Sequence, residues 1–230
     1  MKASSNLEAM QDARNHINIK HMENGVKILD PATTYIDDTV EIAPEAVIYP
    51  GCILEGACKI SQGAVIGPYT HMKDTTIGKG TAVRQSVLTD ATVGENTEVG
   101  PFAYLRPGAV VGNNCRIGNF VEIKNAILKD GVKMAHLAYI GDADVGSNVN
   151  YSCGVITANY DGAKKHRTVI GNDAFIGCNA NLVAPVEIGE GALVAAGSTI
   201  TDELPEYSLG IARARQVNKE NWEKLRNKKK

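Results

Sequence analysis

The stretch VGENTEVGPFAYLRPGAVVGNNCRIG, residues 93–118, places an aliphatic residue at every sixth position. The same spacing recurs before and after it, and in three runs all 18 sampled positions are Ile, Leu, Val or Met. They are Ile42, Ile48, Leu54, Ile60, Ile66 and Met72; Val93, Val99, Leu105, Val111, Ile117 and Ile123; and Ile170, Ile176, Leu182, Ile188, Val194 and Ile200. Because only 43% of the chain is hydrophobic, chance would fill fewer than half of these positions.

A period of six fits no single α-helix, but it fits a short strand, a corner and another short strand. The aliphatic side chains are then expected to point inward and stack on their equivalents in neighbouring coils. Glycine accepts the positive φ that tight corners need. It often follows the aliphatic residue, as in Ile66-Gly67, Val99-Gly100, Ile117-Gly118 and Ile176-Gly177. The sequence therefore predicts an all-β fold, a parallel β-solenoid.

Repeats of an aliphatic residue, Gly and four further residues resemble those of the hexapeptide acyltransferases. That resemblance implies a left-handed parallel β-helix with three hexads in each triangular coil. The left hand comes from the resemblance alone, because the general rule for crossovers between parallel strands predicts the right hand. Residues 40–200 would form roughly nine coils, each rising about 4.8 Å.

Composition narrows the classes of function. The net charge is −2, which gives no indication of nucleic acid or a membrane surface as a partner. No apolar run approaches the length of a membrane span, and the N-terminus lacks the apolar run of a signal peptide. The five cysteines are odd in number and form no C-x-x-C pair, so we expect reduced thiols and a cytoplasmic location.

The N-terminal segment, residues 1–25, is predicted to be a linker helix. Within it, residues 4–24 are expected to be helical, with Ser5 as a possible N-cap. Apolar residues recur there at helical spacing, at Leu7, Met10, Ala13 and Ile17.

Two further boundaries follow. The left-handed β-helix domain, which the resemblance to the hexapeptide acyltransferases implies is the catalytic unit, is predicted over 26–202 and a C-terminal tail over 203–230. The tail is expected to contain a short helix around Trp222 that covers a solenoid end or a neighbouring subunit, because a solenoid needs capped ends.

The hexad phase is lost from residue 124 to about 144, and it slips again after Tyr151. The second lapse, TANYDGAKKHRT, is polar and turn-prone, which predicts a protruding loop. Lapses in a regular pattern often mark functional sites. These two contain His136 and Tyr139, then Asn159 and Tyr160.

Longer motifs make the resemblance more specific. LRPGAVVGNNCRIGNFVEIKNA, HLAYIGDADVGSNVN, ITANYDG, FIGCNANLVAPVEIGEGALVAAGS and IARARQ resemble the acetyltransferase domain of the bacterial bifunctional enzymes that make UDP-N-acetylglucosamine. The resemblance covers residues 22–216. The Gly-rich signature of the uridylyltransferase half has no counterpart, so we expect no uridylyltransferase domain here. The chain is either an excised domain or a natural single-domain relative.

The resemblance implies acetyl transfer from acetyl-CoA to the amine of glucosamine-1-phosphate, in UDP-N-acetylglucosamine and cell-wall precursor synthesis. Acetyl-CoA is then a co-substrate, with no permanently bound cofactor and no metal. The amine attacks only with a free lone pair, so a general base is required, and His136 matches the family's base. Taken without its neighbours, a histidine amid Ala and Leu such as His136 is more often structural than catalytic.

The resemblance also implies roles for other residues. Asp142 either orients His136 or forms a turn. Many relatives have Ser where this chain has Cys178, so a hydroxyl contact there is in doubt. The family also implies a homotrimer with shared active sites. The implied acceptor-binding residues are Arg106, Lys124, Tyr139 and Asn150, and the implied acetyl-CoA-binding residues are Cys153, Asn159, Tyr160, Cys178, Ala196 and Arg213.

Three alternatives remain open. One is another hexapeptide acyltransferase, acting on a simple sugar, serine or lipid A precursors, or using an acyl carrier. Another is a γ-type carbonic anhydrase, which binds zinc through three histidines. The third is a non-catalytic trimeric solenoid.

Overall fold

The computed structural model describes residues 2–227, with the side chains of residues 7–224. Between two terminal helices the chain winds into a β-solenoid of about ten turns, in which every pairing between named strands is parallel. The parallel β-solenoid predicted from the hexads is confirmed, as is the left-handed β-helix that the resemblance implies. None of the helices within residues 2–227 is long and apolar enough to cross a membrane.

The coils are triangular, and their strands form three faces. Face 1 is an 11-stranded sheet of β1 Lys27–Ile28, β4 Val47–Ile48, β7 Val65–Ile66, β10 Ala82–Val83, β13 Glu98–Val99, β16 Arg116–Ile117, β18 Lys133–Met134, β20 Asn150–Tyr151, β23 Phe175–Ile176, β26 Leu193–Val194 and β28 Leu209–Gly210.

Face 2 contains β2 Tyr35–Ile36, β5 Ile53–Glu55, β8 His71–Lys73, β11 Val87–Thr89, β14 Tyr104–Leu105, β21 Ile156–Ala158, β24 Asn181–Val183 and β27 Thr199–Ile200. Face 3 contains β3 Glu41–Ile42, β6 Lys59–Ile60, β9 Thr76–Ile77, β12 Ala91–Val93, β15 Ala109–Val111, β22 Thr168–Ile170 and β25 Val186–Ile188. Two long strands, β17 Val121–Leu128 and β19 Ala138–Val145, run along both faces and join them into one 17-stranded sheet.

Three corners connect the faces. We call the turn from face 1 to face 2 the first corner, the turn from face 2 to face 3 the second corner, and the turn back to face 1 the third corner.

The interior is filled as the hexads predict. All 18 positions of the three runs are buried. Each buried aliphatic side chain contributes about 1.5–3 kcal/mol relative to exposure. The largest fully buried residue is Tyr151, whose hydroxyl donates to the Tyr139 carbonyl at 3.4 Å.

The lapse predicted over residues 124–144 is a change of coil length, and no break occurs in the solenoid. Ile48 pairs with Ile66, eighteen residues on, but Ile117 pairs with Met134, seventeen residues on. A coil that is one residue shorter shifts the phase of the hexads, but the column of inward-pointing residues continues without a gap. Its members here are Leu128, Met134, Ile140 and Val145. The second lapse is a real insertion: Tyr151 pairs with Ile176, twenty-five residues on, and the extra residues form the predicted loop.

The glycines that follow the aliphatic residues serve a purpose different from the expected one. Of the four quoted pairs, only Gly100 has a positive φ, of 97°. At Gly177 a Cβ would lie 2.5 Å from the Val194 carbonyl oxygen in the next coil, so there is no room for a side chain. The positive φ falls two residues later, at Asn179.

Helix α1, Lys2–Glu23, covers the first coil. Since it begins at Lys2, Ser5 lies inside the helix and the N-cap prediction is wrong. Ile17 packs against the core, and the buried Asn18 donates to the Pro31 and Thr34 carbonyls at 3.0 and 3.1 Å.

The last coil closes at Gly210, inside the stretch predicted as a tail. The short helix expected around Trp222 is present as α2, Trp222–Asn227. Trp222 is 55% exposed, and the Lys219 ammonium lies 5.3 Å from the centre of its ring.

Candidate active site

Four of the predicted site residues form a column along the first corner, one in each successive coil. The Gly154 amide donates to the His136 carbonyl at 2.9 Å, and the Asn179 amide donates to the Cys153 carbonyl at 2.8 Å. The Gly197 amide donates to the Cys178 carbonyl at 2.8 Å, which brings in Ala196. The Arg213 side chain passes beside Gly197. The column therefore spans roughly 14 Å from His136 to Ala196, at about 4.8 Å per coil.

Beside this column lies an open groove of about 350 Å³. It is bounded by the first corner and by the outer surface of face 1. Its lining includes His136, Asn150, Cys153 and Cys178, together with two cations of the preceding strands, Arg116 and Lys133.

His136 is presented outward by its backbone. Both His136 and Leu137 have positive φ, of 63° and 60°, and such residues are uncommon outside glycine. The His136 amide donates to the Asn119 carbonyl at 3.0 Å, which fixes the turn. The side chain is exposed, and among residues 7–224 no group hydrogen-bonds to its imidazole. The ring is thus positioned to accept a proton from a ligand in the groove.

Asp142 stands at the second corner and anchors the inserted loop. Its buried carboxylate accepts hydrogen bonds from Asn125 Nδ2, at 2.5 Å, and from Asn159 Nδ2. Burial acts to raise the pKa of this carboxyl, but the two amides and the charges of Lys124 and Lys165 outweigh it and hold the pKa below its usual value. Of the two alternatives for Asp142, the structure supports the turn, where its φ is 50°.

Cations gather around this second corner. Lys165 lies close to Lys124, and this interaction, followed by burial, lowers the pKa of Lys124. Arg106 pairs with Glu122 at 2.7 Å, and its charge also reaches Lys124. A set of like charges held this close is stabilised by a bound anion, for which guanidinium and ammonium groups are the usual ligands.

The inserted loop follows Asn159. Tyr160 and Lys165 form an antiparallel bridge, and the exposed Tyr160 hydroxyl donates to the Gly162 carbonyl at 2.6 Å. Asp161 accepts from the Lys164 amide at 2.6 Å and closes the tip. The loop therefore has a defined shape that presents Lys165 toward Lys124.

Comparisons with known proteins agree with this architecture. The family model described as bacterial transferase hexapeptide (six repeats) matches residues 90–125 and 167–202. The chain is 53% identical over 218 residues to the bifunctional protein GlmU of Staphylococcus haemolyticus, covering 95% of this chain and 48% of that protein. It is 55% identical over 215 residues to GlmU of a Geobacillus species, covering 94% of this chain and 47% of that protein.

The chain belongs to the bacterial hexapeptide transferases. It corresponds to the C-terminal half of GlmU, and it spans about half the length of the curated relatives it matches. Among solved structures, a UDP-N-acetylglucosamine acyltransferase of Francisella novicida superposes with a TM-score of 0.59 at 18% identity, over 79% of this chain and 65% of that one. This likeness shows the shared fold.

In this hexapeptide transferase the predicted residues fall into two separate groups. His136, Asn150, Cys153, Cys178 and Ala196 share the first corner and face 1. The second group, at face 2 and the second corner, contains Arg106, Lys124, Tyr139, Asn159 and Tyr160. Within one chain Asn150 is therefore apart from the other predicted acceptor residues. The corners are roughly 13 Å apart, because four residues of β19 separate them at about 3.3 Å each.

Three further residues beside these two groups were not predicted from the sequence. Arg116 and Lys133 each precede an inward aliphatic residue, so the hexad register itself places them on the outer surface of face 1. Lys165 could be found only as one of two lysines in the polar loop. Its approach to Lys124 depends on how the loop folds back.

A larger groove lies elsewhere. It measures about 530 Å³, borders face 3 and the third corner, and includes Glu187, Glu190 and Glu203 but none of the predicted site residues. The smaller groove remains the candidate active site, because the predicted base, His136, lines it. Among residues 7–224 no group of three or more His, Cys, Asp or Glu side chains could hold a metal ion, which is the kind of site the carbonic anhydrase alternative requires.

Proposed function

We propose that the chain transfers the acetyl group of acetyl-CoA to the amine of glucosamine-1-phosphate. One observation carries the proposal: the predicted base and three predicted donor contacts lie in a column along one corner, beside an open groove. Identity above 50% to two GlmU proteins over nearly the whole chain supports it.

In the proposed reaction His136 accepts a proton from the acceptor nitrogen as its lone pair attacks the thioester carbonyl. The C–N bond forms, the C–S bond breaks, and CoA leaves as a thiol after taking up a proton. The exposed imidazole, which has no competing hydrogen bond among residues 7–224, suits this role. The extended column beneath it suits the long arm of the acyl donor.

We assign the acceptor's phosphate to Arg106, Lys124 and Lys165. A bound phosphate relieves the repulsion between the two lysines that lowers the pKa of Lys124. Tyr139 lies on the same face, with its backbone carbonyl held by the buried Tyr151 hydroxyl. Binding there places the phosphate on fixed cations.

The active form is proposed to be a homotrimer. Base and phosphate-binding cations lie at different corners of one chain, so a second copy is needed to bring them together. An exposed apolar ridge supports such packing: Phe102 and Phe120 stack with their centres 5.5 Å apart, and Leu137 beside His136 is 68% exposed. Light scattering should give three times the mass of one chain, and a monomer mass would contradict the assembly.

The function is tested by following release of the CoA thiol with a panel of acceptors. Glucosamine-1-phosphate should exceed glucosamine, serine and galactosides by at least about a hundredfold in kcat/KM, because only it presents both an amine and a phosphate. Equal rates across the panel, or no thiol release, would overturn the proposal. The five unpaired cysteines fit the expected cytoplasmic location, where the product would serve cell-wall precursor synthesis.

A further inference from the structure

Cys153 and Cys178 occupy equivalent positions in adjacent coils. The strands that precede them pair in register, with Asn150 opposite Phe175 and Tyr151 opposite Ile176. The hydrogen bond from the Asn179 amide to the Cys153 carbonyl continues that register through the corner. Neighbouring strands lie about 4.8 Å apart. This spacing falls inside the range of about 4.4–6.8 Å between Cα atoms that a disulfide can bridge.

These two thiols differ from the other three. Cys178 is exposed and Cys153 is half-buried, and both line the groove that contains His136. Cys52, Cys58 and Cys115 are buried in the solenoid interior, where burial raises the pKa of each thiol and keeps it protonated. Only the groove pair combines access to solvent with a neighbouring thiol.

We propose that Cys153 and Cys178 form an oxidisable dithiol whose disulfide blocks the acyl-donor groove and stops acetyl transfer reversibly. The inference rests on the proposed function for its effect on turnover, but the formation of the bond is independent of it. The disulfide ties two coils together at the corner where the donor's arm is expected to lie.

The reaction balances with a peroxide as the oxidant. The exposed Cys178 thiol loses its proton and the thiolate attacks one oxygen of hydrogen peroxide, so that the O–O bond breaks and a sulfenic acid and hydroxide are formed. The Cys153 thiol then loses its proton and its thiolate attacks the sulfenic sulfur, so that the S–S bond forms and the S–O bond breaks with release of a second hydroxide. The two protons lost by the thiols convert the two hydroxides into water. Two thiols are oxidised by two electrons in total, and one peroxide is reduced to two waters.

The experiment treats the purified protein with a small excess of hydrogen peroxide in the absence of acetyl-CoA. Digestion without reduction and mass spectrometry should identify one linked peptide pair, Cys153 to Cys178, 2 Da lighter than the two free peptides. A non-reducing gel should show single chains, which places the bond within one copy. Turnover should fall at least tenfold and return after dithiothreitol.

Two variants test the assignment by the ratio of turnover after and before oxidation. Cys178→Ser should bring this ratio close to 1, whatever its own starting rate. Cys115→Ala leaves the groove pair intact and should keep the wild-type ratio. A second readout is protection: acetyl-CoA in the groove should slow formation of the linked peptide.

Three results would overturn the inference: sulfinic acid on Cys178 without a linked peptide, bonds only between copies, or a complete disulfide with unchanged turnover. If the reduced protein never releases CoA thiol, the proposed function fails. The proposed disulfide is then tested in the same sample by the presence of the linked peptide, and by calorimetry, in which the disulfide should abolish CoA binding.

Discussion

Replacing Asp142 with Asn removes the negative charge of the second corner and keeps the size of the side chain. The wild-type carboxylate is 7% exposed and accepts from the amides of Asn125 and Asn159. The amide of the Asp142→Asn variant would offer one acceptor oxygen and turn an NH₂ group toward the other asparagine. One hydrogen bond is lost and the other becomes neutral. A hydrogen bond to a charged group contributes about 1.5–3 kcal/mol and a neutral one about 0.5–1.5. Because the Asn125 side chain can also hydrogen-bond to water, we expect the free energy of unfolding to fall by about 2 kcal/mol.

The effect of the Asp142→Asn substitution on stability should change with pH in a definite direction. The folded pKa of Asp142 lies below its usual value, so its contribution is complete above the unfolded pKa of about 3.9 and is lost as the pH falls through the folded pKa. The difference in unfolding free energy between wild type and Asp142→Asn should therefore be constant from pH 7 to 5. It should narrow below about pH 4.

Guanidinium unfolding followed by circular dichroism measures the difference, provided that the slope with denaturant stays the same. Asp173→Asn is a matched control, because Asp173 is also a corner aspartate with a positive φ and an asparagine partner, but it is exposed. It should cost less than about 0.5 kcal/mol. An equal loss in both variants, or a difference that persists at pH 3, would refute the role of the buried charge.

Three further predictions follow from the same structure. His136→Ala should lower turnover roughly 10²- to 10⁴-fold with an unchanged circular dichroism spectrum, whereas His71→Ala on face 2 should not; equal effects would point to a structural role. Lys124→Met should raise the KM for glucosamine-1-phosphate roughly ten- to a hundredfold. In the wild type that KM should rise with pH as Lys124 loses its proton, and the rise should begin at a lower pH than for a free lysine, because the pKa of Lys124 is lowered. A KM that does not change with pH would contradict this. Leu105→Ala should cost about 2–5 kcal/mol in chemical unfolding, and the outward-facing Val110→Ala less than about 0.5; similar losses would contradict the hexad register.

The fold could be predicted from the sequence because the signal repeats. One aliphatic residue per hexad defines each inward position, and errors at single positions cancel over many coils. The phase slips were harder to interpret. A coil of seventeen residues interrupts the six-residue spacing, and the repeat is then no longer visible in the sequence. In the structure Met134 and Ile140 stay buried in line with the inward residues of neighbouring coils.

The candidate site could be predicted only as a set of residues. The hexad count predicts which residues face outward, and the resemblance assigns their roles. The corner at which each residue lies depends on the lengths of all the coils before it. Asn150 illustrates this, since it lies beside His136 and apart from Arg106. The partners of Asp142 also required the structure, because Asn125 and Asn159 reach it from the coils on either side.

The coil of twenty-five residues shows how such a scaffold can acquire new chemistry. Tyr151 pairs with Ile176 as regularly as any other pair, so the inserted loop leaves the following coils undisturbed. Each coil takes its register from the one before it, and a change at a corner stays local. A loop of different length or charge could be grafted at the second corner without altering the rest of the chain. Under the proposed function, acceptor specificity could then diverge independently of the column that we assign to the donor.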